Sequence, residues 1–91
     1  MDVSVFATLR PIVGGRSVEV PLPEGATVQD LVDQLATQWP ELGEHLFEED
    51  RSLSRRVNIF LDGRNIRWLD GLLTPVGSHQ KVDIFPPVAG G

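Results

Sequence analysis

One stretch of this chain carries a clear helical apolar stripe. Val28, Leu31, Val32, Leu35, Ala36 and Trp39 recur on one side, while Gln29, Asp33, Gln34 and Gln38 fall on the other. A single amphipathic helix has no partner of its own kind to bury against, so its stripe must lie on one face of a sheet. Thr27 is placed to cap the helix, with Asp30 three residues on as a capping-box variant, and Pro40 is expected to stop it.

The flanking sequence supplies the strands. Val3, Val5, Ala7 and Leu9 alternate with Ser4, Phe6 and Thr8, which predicts a first strand running toward Arg10. Gly14-Gly15 reads as a turn, Ser17–Val20 as the returning strand of a hairpin, and Pro21 and Pro23 as its end. Val57, Ile59 and Leu61 mark a third strand, and Asp62-Gly63 is a strong hairpin signal leading to a short strand over Asn65–Trp68. A compact connection over Gly71–Pro75 and a last strand over Val82–Phe85 complete the order. Between residues 41 and 55, Leu42, Leu46 and Phe47 are positioned to anchor a short helical turn in an otherwise charged loop. Strand, strand, helix, strand, short strand, strand predicts an α+β chain. The simplest arrangement is the β-grasp (ubiquitin-like) roll, a mixed sheet of about five strands covered on one face by one main helix. Its first and last strands pair at the centre, which divides the chain into a domain over 1–85 and an extended tail over 86–91.

Composition narrows the function. Eight basic against thirteen acidic residues leave a net charge of −5, which argues against a nucleic-acid partner held by phosphate neutralisation. No run approaches membrane-spanning length, so no membrane partner is expected. The strand-like start leaves no room for a signal peptide, and the expectation is a cytoplasmic protein. With no cysteine, disulfide and thiolate chemistry are excluded for this chain. His45 and His79 have no neighbouring ligand at metal spacing, so no metal site is expected. Neither a catalytic triad nor a carboxylate pair stands out. Gly14-Gly15 lacks the flanking pattern of a phosphate-cradling loop, and no bound cofactor is expected.

The tail carries the chemistry. Phe85-Pro86-Pro87-Val88-Ala89 leads into Gly90-Gly91. Prolines stiffen the exit, and two residues without Cβ atoms make a tip thin enough to thread a narrow channel. The expectation is that the Gly91 carboxylate is the reactive group. The alternative is a frayed terminus, which tolerates glycine anywhere.

Taken together, Val5-Phe6-Ala7-Thr8-Leu9-Arg10, Thr27-Val28-Gln29-Asp30-Leu31, the stretch from Asn65 to Leu72 and the terminal FPPVAGG resemble the MoaD/ThiS family of ubiquitin-like sulfur carriers over nearly the whole chain. The turn Gly77-Ser78-His79-Gln80-Lys81 departs from the Gly-Asp that many members carry there. The resemblance implies a carrier, not an enzyme. Its terminal carboxylate would be adenylated by an ATP-dependent activating enzyme, converted to a thiocarboxylate, and used by a sulfur-accepting synthase. ATP would be bound by the activating enzyme. A carboxylate is a poor electrophile at neutral pH, so forming an acyl-adenylate first supplies the missing leaving group.

Strand parity gives a docking face without the family. If Val3, Val5, Val57, Ile59, Val82 and Ile84 face the helix, then Phe6, Phe60 and Phe85 face away and cluster on the open side of the sheet. Exposed apolar clusters of this kind mark partner surfaces. With Pro86, Pro87, Val88 and Ala89 they form the expected partner-binding set. The competing expectation is that residues 41–55, through Leu46 and Phe47, fold over the phenylalanines as a second small core. Trp39 is expected to pack at the helix end, Trp68 in the core or at the patch edge, and Arg67 on a solvated strand.

Three functions compete. The first is a sulfur carrier for cysteine or a sulfur-containing metabolite, toward which the stretch Ile66–Thr74 leans, with the molybdopterin synthase small subunit as the alternative suggested by FPPVAGG. The second is a protein modifier joined through Gly91 to lysines; this chain has a single lysine, Lys81, which disfavours chains built on itself. The third is a passive interaction module.

Overall fold

The Thr27 hydroxyl accepts from the backbone N–H of Asp30, and the Asp30 carboxylate accepts from the N–H of Thr27. This reciprocal capping box starts helix α2, which spans Val28–Gln38. Its stripe is sealed: Leu31, Val32 and Leu35 are fully buried. In the computed structural model, which describes residues 1–86, the helix lies on a five-stranded sheet.

The strands are β1 (Asp2–Val5), β2 (Ser17–Glu19), β3 (Asn58–Leu61), β4 (Arg64–Asn65) and β5 (Val82–Phe85), in spatial order β2-β1-β5-β3-β4. β1 and β5 run parallel at the centre, and the outer pairs are antiparallel. This is the β-grasp arrangement. Val3 and Val5 of β1, Ile59 of β3, and Val82 and Ile84 of β5 are each at most 1% exposed, so the inward set is as strand parity requires. Asp62 and Gly63 both take positive φ, 51° and 83°, the paired left-handed geometry of a two-residue hairpin turn.

Three local expectations need correction, and a fourth gains a second role. The first strand ends at Val5. Phe6 stays extended, but Ala7 turns left-handed (φ 51°), and the chain enters a 3₁₀ turn (Ala7–Leu9) and helix α1 (Arg10–Val13) that still delivers Leu9 to the core. The supposed Gly14-Gly15 hairpin turn is instead the left-handed C-cap of α1 at Gly14. Pro40 stops α2 and also opens helix α3 (Pro40–Leu46) at its first turn, where a missing N–H costs nothing. The short strand is only Arg64–Asn65, and 3₁₀ turns occupy Ile66–Trp68 and Gly71–Leu73.

Helix α3 realises the short helical anchor with more order than the sequence indicates. Leu42 and Leu46 are fully buried beside α2. The two helices approach so closely that a Cβ at Gly43 would lie 2.9 Å from the Cβ of Ala36. Trp39 packs partly buried at the junction between them. No helix among the described residues is long and apolar enough to cross a membrane.

Candidate functional site

Because β5 is central, its last residue, Phe85, stands in the middle of the sheet end from which the tail departs. Phe85 pairs in register with Asn58 of β3, and Phe60 lies two residues further along the same face. On the other side, Phe6 continues the line of β1 for one extended residue before the chain turns away. The three rings meet. Phe6 stacks on Phe85 with centroids 4.2 Å apart and planes 12° from parallel, and Phe60 meets Phe85 edge-on at 5.5 Å. Each such pair contributes about 0.5–1.5 kcal/mol beyond area burial. Arg10 closes the far side. Its guanidinium sits 5.0 Å above the Phe6 ring while Nε donates to the carbonyl of Val5 at 2.9 Å.

All three phenylalanines remain partly exposed, and the groove beside them, about 450 Å³, is lined by Asn58, Phe60, Gly63, Asp83, Phe85 and Pro86. Residues 41–55 do not line this groove. Leu42 and Leu46 enter the main core, and Phe47 lies on the helix side with Ala36, Pro40 and Gly43, under the guanidinium of Arg51. The expectation of a second small core over the patch is therefore overturned. Amphipathic α3 buries its apolar surface beside α2 in the main core, on the helix side of the sheet and away from the phenylalanine groove.

Pro86 is buried at the root of the tail. Pro87, Val88, Ala89, Gly90 and Gly91, which the sequence singles out, lie outside the described residues.

Arg67 is solvent-exposed as expected, but it stands on a 3₁₀ turn and not on a strand, and its guanidinium clamps the segment before β3. Nη1 donates to the carbonyl of Val57 (2.8 Å) and to Asn58 Oδ1 (3.1 Å), and Nη2 donates to the carbonyl of Ser54 (2.8 Å). Asn65 completes the knot, accepting from the N–H of Arg67 and donating to Asn58 Oδ1. The clamp holds the residue that pairs with Phe85. Trp68 belongs neither to the core nor to the phenylalanine groove: it is 86% exposed, with Leu73 exposed nearby in sequence on the next turn.

Sequence reasoning also passed over Asp83 and Arg10. The signal for Asp83 was present, since alternation puts it on the same face as Phe85. Arg10 was hidden by the unexpected turn at Ala7. Elsewhere, the Asp50 carboxyl is held below its usual range because the hydroxyl and N–H of Ser52 donate to it at 2.6 and 3.0 Å. Opposite each other on β1 and β2, Asp2 and Glu19 titrate apart. Hydrogen bonding between them raises Asp2 and lowers Glu19, which also accepts from the terminal amine at 2.7 Å. Among the described residues no three His, Cys, Asp or Glu side chains converge where they could hold a metal ion.

A central parallel β1–β5 pair, one helical layer and an open sheet face carrying an aromatic cluster at the tail root define a ubiquitin-like β-grasp protein. The ThiS family model matches residues 3–91, and the chain belongs to that family. It is similar to small archaeal modifier protein 3 of Haloferax volcanii, 35% identical over 91 residues that span 100% of this chain and 98% of the relative. It is also similar to the sulfur carrier protein CysO of Mycobacterium tuberculosis, 33% identical over 94 residues spanning 100% and 98%. Among solved structures it resembles the Amycolatopsis orientalis BexX/CysO complex, with a TM-score of 0.83 and 32% identity, covering 99% of this chain and 98% of that one. The names of these relatives are those of small carriers and modifiers, and one of them is seen with a protein partner.

Proposed function

We propose that this chain is a sulfur carrier whose Gly91 carboxylate attacks the α-phosphate of ATP in a partner enzyme, releasing pyrophosphate and forming an acyl-adenylate. Hydrosulfide, or a persulfide with a reductant, then displaces AMP and leaves a thiocarboxylate, which gives its sulfur to a synthase making cysteine or a sulfur-containing metabolite. The observation that carries this reading is the partly exposed Phe6–Phe85–Phe60 cluster at the point where β5 releases the tail. An apolar surface at that position docks an activating enzyme and aims the diglycine tip into its nucleotide site. The chain offers docking and a carboxylate, and the partner contributes ATP, metal and catalysis. Similarity to the sulfur carrier protein CysO supports the carrier chemistry, and a stable complex with a large molybdopterin synthase subunit would move the choice of acceptor to the molybdopterin branch.

The test is intact mass after incubation with ATP, a sulfide source and an extract of the organism that carries this chain. The reading expects the mass gain of one oxygen replaced by sulfur, lost when Gly91 is deleted.

The likeness to a small archaeal modifier protein favours a second reading, in which the same acyl-adenylate is captured by a lysine amine of a target protein. Adducts that survive reductant and require Gly91 would establish it.

A further inference from the structure

Besides Arg10, whose guanidinium lies over Phe6, the aromatic face of the sheet carries a carboxylate, Asp83, whose buried oxygen lacks a donor among the described residues. Asp83 lies between Val82 and Ile84, so its side chain points away from the core. It stands directly across from Phe60 on β3 and from Ser4 on β1. The side chain is only 15% exposed. Its Oδ1 is closed off from solvent and accepts no hydrogen bond from any described group. The nearest cation, Lys81 Nζ, is 4.0 Å away and 72% exposed, so it remains a hydrated neighbour, beyond hydrogen-bond distance.

An orphan carboxylate within an apolar patch constrains whatever covers the patch. In the free protein, the small exposed part of Asp83 retains some water. A partner that seats on Phe60 and Phe85 takes that water away, because Asp83 lines the same groove as both rings. A purely apolar counter-surface would then bury an unpaired negative charge, which strongly opposes association. A surface bearing a cation would convert the same charge into a directional contact. The flat guanidinium suits this groove best, since it can lie against an aromatic face while its N–H fork reaches a carboxylate.

Building on the carrier reading, we propose that the adenylating enzyme inserts an arginine into the phenylalanine groove, where it pairs with Asp83 and makes this carboxylate a specificity determinant of docking. Carriers lacking an acid here would be rejected by that enzyme, and this chain would be rejected by enzymes presenting only apolar residues at the matching position.

The experiment is ATP–pyrophosphate exchange by the adenylating enzyme, purified from the organism that carries this chain by following exchange that depends on Gly91, with the carrier concentration varied. Asp83→Asn keeps the shape and removes the charge. It should raise the KM for carrier roughly 30-fold while leaving kcat within about twofold, because the contact acts in docking and not at the reacting carboxylate. Thermal melting of the variant should match or exceed that of the parent, since the orphan charge has no described hydrogen-bond donor in the free protein. An unchanged or lowered KM for Asp83→Asn overturns the inference and leaves the carrier reading standing. Lys81→Gln should change KM by less than about threefold; an increase equal to that of Asp83→Asn would make Lys81 the counter-ion and also overturn it. If the parent chain supports no Gly91-dependent exchange, the carrier reading falls and takes this inference with it.

Discussion

Replacing Arg67 with alanine should cost far more than its exposed position in the sequence suggests. Three guanidinium hydrogen bonds disappear together: those to the Val57 carbonyl, Asn58 Oδ1 and the Ser54 carbonyl, at 2.8, 3.1 and 2.8 Å. At about 1 kcal/mol net for each bond, and with no added bonus for charge because the side chain is solvent-exposed, the loss is about 2–3 kcal/mol. In a domain of this size each kcal/mol moves the melting temperature by about 4–8 °C, so Arg67→Ala should melt roughly 10–20 °C lower. Lysine should recover only about 1 kcal/mol, since one ammonium cannot span acceptors on Ser54 and Val57 that a planar fork reaches together. Urea denaturation followed by tryptophan fluorescence gives the free energy, and hydrogen exchange over residues 54–58 locates the loss. The reasoning is refuted if Arg67→Ala stays within about 0.5 kcal/mol of the parent, a surface-substitution value. It is refuted equally if Arg67→Lys restores full stability.

Further predictions follow from the same contacts. On the proposed carrier reading, Phe60→Thr, which keeps strand propensity and avoids placing a second carboxylate opposite Asp83, should reduce activation by the adenylating enzyme at least tenfold in kcat/KM while the far-ultraviolet dichroism is retained. Gly43→Ala should destabilise by up to about 2 kcal/mol, because overpacking against Ala36, about 1–3 kcal/mol, is offset by a helix-propensity gain of only about 1 kcal/mol; Ala36→Gly in the same chain should restore the space, as a thermal double-mutant cycle will measure. Asp50 titrates below its ordinary range, so its contribution to stability is present above the unfolded-state value and fades as pH falls through the depressed folded one. Ser52→Ala should move the Asp50 midpoint upward in a carboxyl-carbon NMR titration, and an unmoved midpoint would remove Ser52 as the cause.

Much of this architecture was legible because its causes are local or strictly periodic. The capping box at Thr27 and Asp30, the stripe of α2, the left-handed pair at Asp62-Gly63 and the alternation of β3 and β5 each follow from rules spanning a few residues. Even the aromatic cluster could be read from strand parity, since a side chain's face is decided by counting in twos. With the β-grasp order in place, parity alone brings Phe6, Phe60 and Phe85 together.

The remainder required tertiary structure, and the reasons are particular. Alternation continues through Leu9, yet the strand stops at Val5, because the same Leu9 reaches the core from a 3₁₀ turn once Ala7 goes left-handed. Pro40 is compatible with ending one helix and with opening another, and only the buried contacts of Leu42 and Leu46 decide for both. Arg67 has an ordinary surface sequence context; its role depends on carbonyls ten and thirteen residues away in the chain. Asp83 acquires its meaning from neighbours on two other strands and from the absence of a described donor to Oδ1. Sequence by itself thus determined the sheet, its covering helix and the face that carries the rings, since these rest on periodicity. Which polar groups are clamped and which are left without a partner was decided only by packing, because hydrogen-bond satisfaction depends on distances between segments that local pattern does not encode.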